Sequence, residues 1–254
     1  MRVIVTGSSG FIGKNLVEKL ITNPDILGVQ CIDIKTGWDV QFIEKLIIVP
    51  DVVVHLAAEV SVFNPDHAKI IKTNIEGFCI VAEYCRKNHV RLIYASSSSA
   101  NNITSMYGMS KKFNEDYAQS YIPMSLGLRF HNVYGKYQRE DTLIGKILKE
   151  KTITLYNNGD NVRRFTHVND IVNCIEHHIF TNTEGLINIA SPDSYRTYDI
   201  VEMMKKYYKF SIVYSYDVRP LDRVYQHVED LPNWECKYID IEQNLKNLIE
   251  SYGK

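Results

Sequence analysis

The feature that most restricts this chain is Gly7-Ser8-Ser9-Gly10-Phe11-Ile12-Gly13, which follows the β-branched run Val3-Ile4-Val5 and leads into a segment of helical length over 11–22. Glycines at this spacing let the backbone turn tightly and let a ligand approach it closely, while the start of a helix offers unsatisfied N–H groups and partial positive charge. A pyrophosphate fits such a loop. Gly7, Ser9, Gly10, Phe11, Ile12 and Gly13 are therefore candidate contacts for the phosphates of a dinucleotide. Turn glycines are common, so the position between a first strand and a first helix is what gives the loop meaning.

The chain continues in the same rhythm. Short apolar runs at 28–32, 52–54, 91–94 and 125–128 alternate with segments of helical length at 67–88 and 105–121. This predicts an α/β fold, a Rossmann-type doubly wound parallel sheet with helices on both faces. After about residue 133 the elements shorten, and Asn157-Asn158-Gly159-Asp160 reads as a turn. Ile241, Leu245, Leu248 and Ile249 form one helical stripe near the end. The expected division is a dinucleotide-binding region over 1–132 and, over 133–254, mainly a small C-terminal substrate-binding cap with some elements returning to the sheet.

Asp33 stands twenty residues after the third glycine, where the second strand ends. A carboxylate there accepts hydrogen bonds from the adenosine ribose hydroxyls and repels a 2′-phosphate, favouring NAD over NADP. Lys35, two residues on, keeps NADP open. Farther along, Tyr107 and Lys111 are four residues apart on a helical segment, just beyond the serine run Ser96-Ser97-Ser98-Ser99. Both side chains then leave one helix face. A phenol titrates near ~10, and bringing it toward neutrality takes about 4 kcal/mol, which a neighbouring ammonium and a cationic nicotinamide would supply. A solvated surface pair has the same spacing.

Other classes are disfavoured. Basic and acidic residues number 29 and 30, so the chain has no electrostatic footprint for nucleic acid or an anionic membrane. Five cysteines without C-x-x-C spacing argue against a disulfide framework or a metal site and fit reduced thiols in the cytoplasm. The longest apolar stretch, 46–58, is interrupted by Pro50 and Asp51 and is too short to span a bilayer. The opening residues do not read as a signal peptide.

Taken together these residues resemble the extended short-chain dehydrogenase/reductase superfamily, in its branch of NAD-dependent nucleotide-sugar epimerases and dehydratases, similar to the UDP-glucose 4-epimerases. The resemblance runs over almost the whole chain. Besides the glycine loop and Asp33, it rests on Asp39-Val40, His55-Leu56-Ala57-Ala58, Asn74 in Thr73-Asn74-Ile75-Glu76-Gly77, and Tyr94-Ala95-Ser96-Ser97. It continues through the segment 128–135, which includes Phe130 and Asn132, then Arg163-Arg164-Phe165-Thr166-His167-Val168 and Arg219-Pro220-Leu221-Asp222.

The resemblance implies NAD as cofactor, held by the glycine loop, Asp33, Asp39, Val40, Leu56, Ala57, Ala58, Asn74, Ala95, Tyr107, Lys111 and Phe130. It implies a UDP-sugar substrate, with Asn132, Arg163 and Arg219 on the diphosphate and Ser97 and Ser98 toward the sugar. Ser97 would be the catalytic serine, with Ser98 as its rival, Tyr107 the general acid/base, and Lys111 the residue that holds the nicotinamide ribose and lowers the tyrosine pKa. His55 and His167 would be structural, and a homodimer would form through the helix carrying the tyrosine. The implied reaction is 4-epimerisation through transient oxidation at C4; a 4-keto-sugar reductase and a dinucleotide-binding regulator without turnover are the alternatives.

The chain departs from that pattern in two places. Ala100-Asn101-Asn102 replaces the usual Val-Tyr-Gly, and ten positions separate Ser97 from Tyr107, which shortens the lid between them. The segment from Asp33 to Asp39 is also short, so the third strand of the Rossmann half should be reduced or missing. Ser98 and Ser99 occupy the positions where dehydratases carry an acid pair.

Overall fold

Runs of apolar residues without a polar face are stable as strands only when both sides are covered. In the computed structural model, which describes residues 1–225 and 231–252, the first half forms β1 (Arg2–Thr6), β2 (Gly28–Ile32), β3 (Val52–His55), β4 (Arg91–Ser97) and β5 (Ser125–Phe130). The helices between them are α1 (Phe11–Leu20), α2 (His67–Ile70), α3 (Gly77–Asn88) and α4 (Met106–Tyr121). A π-helical turn at Ile71–Glu76 separates α2 from α3, so the segment 67–88 is not one regular helix. The second half contributes β6 (Val133–Tyr134), α5 (Leu143–Lys149), β7 (Thr152–Leu155), β8 (Val162–Arg163), β9 (Thr166–His167) and α6 (Val168–Ile179). After these come β10 (Gly185–Ile189), β11 (Tyr195–Arg196), α7 (Thr197–Lys205), β12 (Ser211–Tyr214) and α8 (Ile241–Tyr252).

Among the described residues the main sheet is six-stranded in the order β10-β5-β4-β3-β1-β2, and every pairing is parallel. Alternate side chains of each strand leave by opposite faces. Val3, Val5, Val52 and Val54 pack with Leu16 and Leu20 of α1 and Ile171, Val172 and Ile175 of α6. Ile4 and Val53 point the other way, into Phe78, Val81 and Cys85 of α3 and Ala118 of α4. The doubly wound expectation is met.

β2 is the edge of this sheet, and residues 33–51 contain two 3-10 turns, Ile34–Thr36 and Val40–Lys45, and no strand. The third strand of the Rossmann half is thus absent, in line with its short sequence. From the second half, α6 and β10 join the sheet layer. The other elements build a separate core in which Ile144, Ile147, Leu155, Ile200 and Met204 surround the stripe Ile241, Leu245, Leu248 and Ile249 on α8. The turn at 157–160 sits beside it, with Asn157 and Asn158 both in the left-handed region, where asparagine is tolerated better than most residues.

Candidate active site

The glycine loop is demanded by close packing at two of its three glycines. Gly7 has φ +69°, and a Cβ there would lie 2.6 Å from the backbone nitrogen of Ala57; a Cβ on Gly13 would lie 2.1 Å from the carbonyl oxygen of Gly7. Side chains at either position would push the loop away from β3 or from α1. Gly10 is the N-cap of α1, and no side chain caps the helix. Its first N–H groups are therefore left for a ligand.

At the end of β2 the Asp33 carboxylate accepts from Ser9 N–H at 2.9 Å and from Lys35 N–H at 2.9 Å. It is thereby fixed at the mouth of the loop. Asp39 accepts from Gln41 N–H at 3.2 Å and starts the turn on which Val40 packs toward Gly77 of α3. Beyond β3, Ala57 N–H donates to Thr6 Oγ1 at 3.3 Å, and the same hydroxyl contacts His55 Nδ1 at 2.8 Å. Burial pulls the His55 pKa down to about 3, so the ring is neutral and structural. His167 caps α6 by accepting from Asn169 N–H and stacks edge-on with Tyr134.

The reacting end lies at the tip of β4. Ser97 Oγ accepts from Ser99 N–H at 3.1 Å and begins a single 3-10 turn, Ser98–Ala100. Ser105 then caps α4 by accepting from Gly108 N–H at 3.1 Å. Gly108 is packed so closely on the serine turn that a Cβ would lie 2.5 Å from Ser99 O. This contact brings the first turn of α4 directly beside the strand tip without a lid between them.

Tyr107, in that first turn, is hydrogen-bonded to Ser97 through its hydroxyl. Burial pushes the phenol above its ordinary range, while the Ser97 hydrogen bond and the Arg139 charge pull it down. Lys111, one turn later and 3% exposed, donates to Ala95 O at 2.9 Å, with its Nζ 5.9 Å from the centre of the Tyr107 ring. Burial lowers the ammonium to about 8, and Glu115 opposes that shift. The protein's own groups therefore keep Tyr107 protonated. Behind them, Glu115 accepts from Arg129 Nε at 2.7 Å and Nη2 at 2.6 Å and from the Ser96 hydroxyl, tying α4 to β4 and β5.

At the other end Asn132, with φ +27°, donates to Arg164 O at 3.0 Å. Arg163 is engaged by Asp222 at 2.6 Å and by the carbonyls of Val162 and Arg223. Arg219 lies 3.5 Å from the centre of the Phe63 ring and 5.7 Å from that of Tyr156, and among the described residues no carboxylate pairs with it. Arg223 donates to Ser98 O at 3.1 Å and to Ser99 Oγ at 3.3 Å, and Thr104 Oγ1 donates to Leu221 O at 3.0 Å. The segment 219–225 thus lies over the serine turn.

With one exception, the residues expected from the sequence line a single cleft of about 1410 Å³. These are Gly7, Ser9, Gly10, Phe11, Ile12, Gly13, Asp33, Asp39, Val40, Leu56, Ala57, Ala58, Ala95, Ser97, Ser98, Tyr107, Lys111, Phe130, Asn132, Arg163 and Arg219. The exception is Asn74. It is buried on the π-helical turn, accepts from Glu59 N–H at 2.8 Å, and donates to Glu59 O at 2.9 Å and Ser110 Oγ at 3.0 Å. Its amide fixes the loop after β3 to α4 and does not reach the cleft wall. Sequence reasoning also passed over Phe63, Arg139, Glu115 and Arg223; the second arginine of Arg219-Pro220-Leu221-Asp222-Arg223 was the one available sign of the last.

Residues 3–190 match the model of the NAD dependent epimerase/dehydratase family. The chain belongs to this family. Protein CapI of Staphylococcus aureus is 33% identical, over 69% of this chain and 68% of that protein. UDP-glucuronic acid decarboxylase 1 of Arabidopsis thaliana is 21% identical, over 99% and 70%. Among solved structures, the Bacillus cereus UDP-glucuronic acid 4-epimerase with UDP-glucuronic acid and NAD superposes with a TM-score of 0.83 at 22% identity, covering 100% of this chain and 99% of that one. The Thermus thermophilus UDP-glucose 4-epimerase complex with NAD gives 0.82 at 22% identity and the same coverage. These structures share the fold. The epimerase/dehydratase family is NAD-dependent, and the residues present fit that cofactor: a glycine turn packed too closely on β3 and α1 to admit a Cβ, an uncapped helix start and a carboxylate fixed beside them.

Proposed function

We propose that this family member interconverts C4 epimers of a nucleotide-linked sugar, a UDP-sugar, by transient oxidation to the 4-keto form. The observation that carries the reading is the Tyr107 hydroxyl bonded to Ser97 in the same cleft as the glycine loop, with Lys111 one helical turn behind. NAD, when bound, supplies hydride transfer at C4. The chain's part is orientation and proton movement. With the cationic nicotinamide of bound NAD adding to the Lys111 charge, Tyr107 would be the phenolate that takes the proton of the sugar 4-hydroxyl, Ser97 would align that hydroxyl, and Lys111 would support the phenolate and the nicotinamide ribose. Arg219, Arg163 and Asn132 would hold the diphosphate, the first by a guanidinium that lies over Phe63 and pairs with no carboxylate among the described residues.

Ser98 and Ser99 favour epimerisation over dehydration. An alkyl hydroxyl is too weak an acid or base to take the C5 proton and protonate a C6 leaving group near neutral pH. The relatives named above include both 4-epimerases and a decarboxylase, so the reaction is tested directly. With UDP-glucose, UDP-galactose and their N-acetyl and uronic acid counterparts, and no added dinucleotide, one pair should interconvert without net NADH change. Stoichiometric NADH consumption on a 4-keto sugar with no epimer formed would make the protein a reductase. Dinucleotide binding with no conversion of any substrate would make it a regulator.

NAD should bind the apo protein on the order of tenfold or more tighter than NADP, because Asp33 would stand against the 2′-phosphate. Competitive titration of both dinucleotides checks this, and equal affinity would give the adenosine end to Lys35.

The proposal extends to assembly and place. Phe113 and Tyr121 of α4, which flank Tyr117 in a row of ring contacts, are 39% and 63% exposed, and this aromatic face supports a homodimer. Among the described residues no helix is long and apolar enough to cross a membrane, and the five cysteines carry no disulfide, in keeping with work in the cytoplasm.

A further inference from the structure

We propose that Arg223 determines which sugar this cleft accepts, by receiving a carboxylate, so that the substrate is a nucleotide-linked uronic acid. This rests on the reading that a nucleotide sugar occupies the cleft. Three of the cations that line the cleft are answered by carboxylates. Arg163 is paired with Asp222 at 2.6 Å, Arg139 with Asp141 at 2.5 Å and Lys69 with Glu59 at 2.7 Å. Arg223 differs. Its partners are a backbone carbonyl and a hydroxyl, both neutral, and among the described residues no carboxylate lies within ion-pair distance of its guanidinium.

The adjacent Asp222 cannot fill that role. One of its oxygens accepts from Arg163 and from the backbone N–H of Arg223, and the other from Asn161 Nδ2 at 3.2 Å. Burial and the nearby Arg163 both disfavour charge on Arg223, and the Asp222 charge offsets only part of this, yet a guanidinium remains protonated in proteins. A partly buried cation with neutral partners is a standing cost that an incoming anion relieves. Two of its N–H donors are taken, and the rest of the planar fork suits a carboxylate.

Location separates this anion from the diphosphate. Arg223 contacts Ser98 and Ser99, the two residues after Ser97, which is itself bonded to Tyr107. It therefore stands at the reacting end of the cleft, beside the sugar ring. Arg219 lies instead over Phe63 and near Tyr156. The serine turn also carries no acid that would pair with Arg223 or repel a uronate.

The test is equilibrium binding of UDP-glucuronic acid and UDP-glucose to the NAD-saturated wild type, Arg223→Gln and Arg223→Lys. The wild type should prefer the uronic acid by at least about tenfold. Arg223→Gln should bring the two affinities within about twofold, and Arg223→Lys, which keeps the charge without the fork, should retain part of the preference. Absence of the preference in the wild type would overturn the proposal. So would an equal loss for both ligands in Arg223→Gln, which would put the guanidinium on their shared diphosphate. Binding requires no turnover, so the preference can be read even if no epimer forms; failure of the nucleotide-sugar reading would appear as neither ligand binding.

Discussion

Tyr107→Phe should lower turnover by at least about a hundredfold while leaving the fold intact. The hydroxyl is the one group in the first turn of α4 bonded to Ser97 at the strand tip, and the ring, which supplies the packing, is retained in phenylalanine. Lys111→Ala should cost a comparable factor for a different reason. It removes the buried ammonium that donates to Ala95 O and with it the charge that would support a phenolate. The two variants should separate in their binding behaviour, since Lys111→Ala should also weaken NAD whereas Tyr107→Phe should not. Steady-state kinetics with a cofactor titration measures both, and near-wild-type turnover in Tyr107→Phe would remove the catalytic assignment.

Glu115→Ala should destabilise the protein by about 3–5 kcal/mol, because it removes a buried carboxylate that accepts from Arg129 Nε and Nη2. The two side chains are 1% and 5% exposed, and the carboxylate also receives the Ser96 hydroxyl. Urea unfolding of the single variant gives the number. A loss below about 1 kcal/mol would place the pair among surface-like ion pairs. The pair holds α4, and hence Tyr107 and Lys111, in register with β4 and β5.

What the sequence made legible here was local. Gly7, Gly10 and Gly13 declare a loop whose geometry depends on a few adjacent residues and one neighbouring strand. Helical spacing puts Tyr107 and Lys111 on one face, and the resemblance of the segments around them gives the pair its meaning. Arg223 does neither, because its partners Ser98 and Ser99 lie more than a hundred residues earlier and meet it only when 219–225 folds across the serine turn. Asn74 shows the converse. Its surrounding residues suggested a ligand contact, but the π-helical turn carries the amide into Glu59 and Ser110. Arg163 does line the cleft, yet its engagement by Asp222 could not be read from two segments so far apart. The absent third strand, by contrast, was legible, because too few residues lie between Asp33 and Asp39 to hold one.

The return of α6 and β10 to the main sheet bears on how such a chain can be rearranged. A fragment ending near residue 132 would leave β5 as a bare sheet edge and uncover Leu16, Leu20, Val3 and Val5, which pack against α6. The two halves are therefore not modules. Fusing the first half to a foreign C-terminal portion, or splitting the gene between them, would expose an apolar layer that cannot remain in water. Exchange of substrate-binding parts between relatives has to occur within the loops around α5, α7 and α8, where a separate core tolerates replacement.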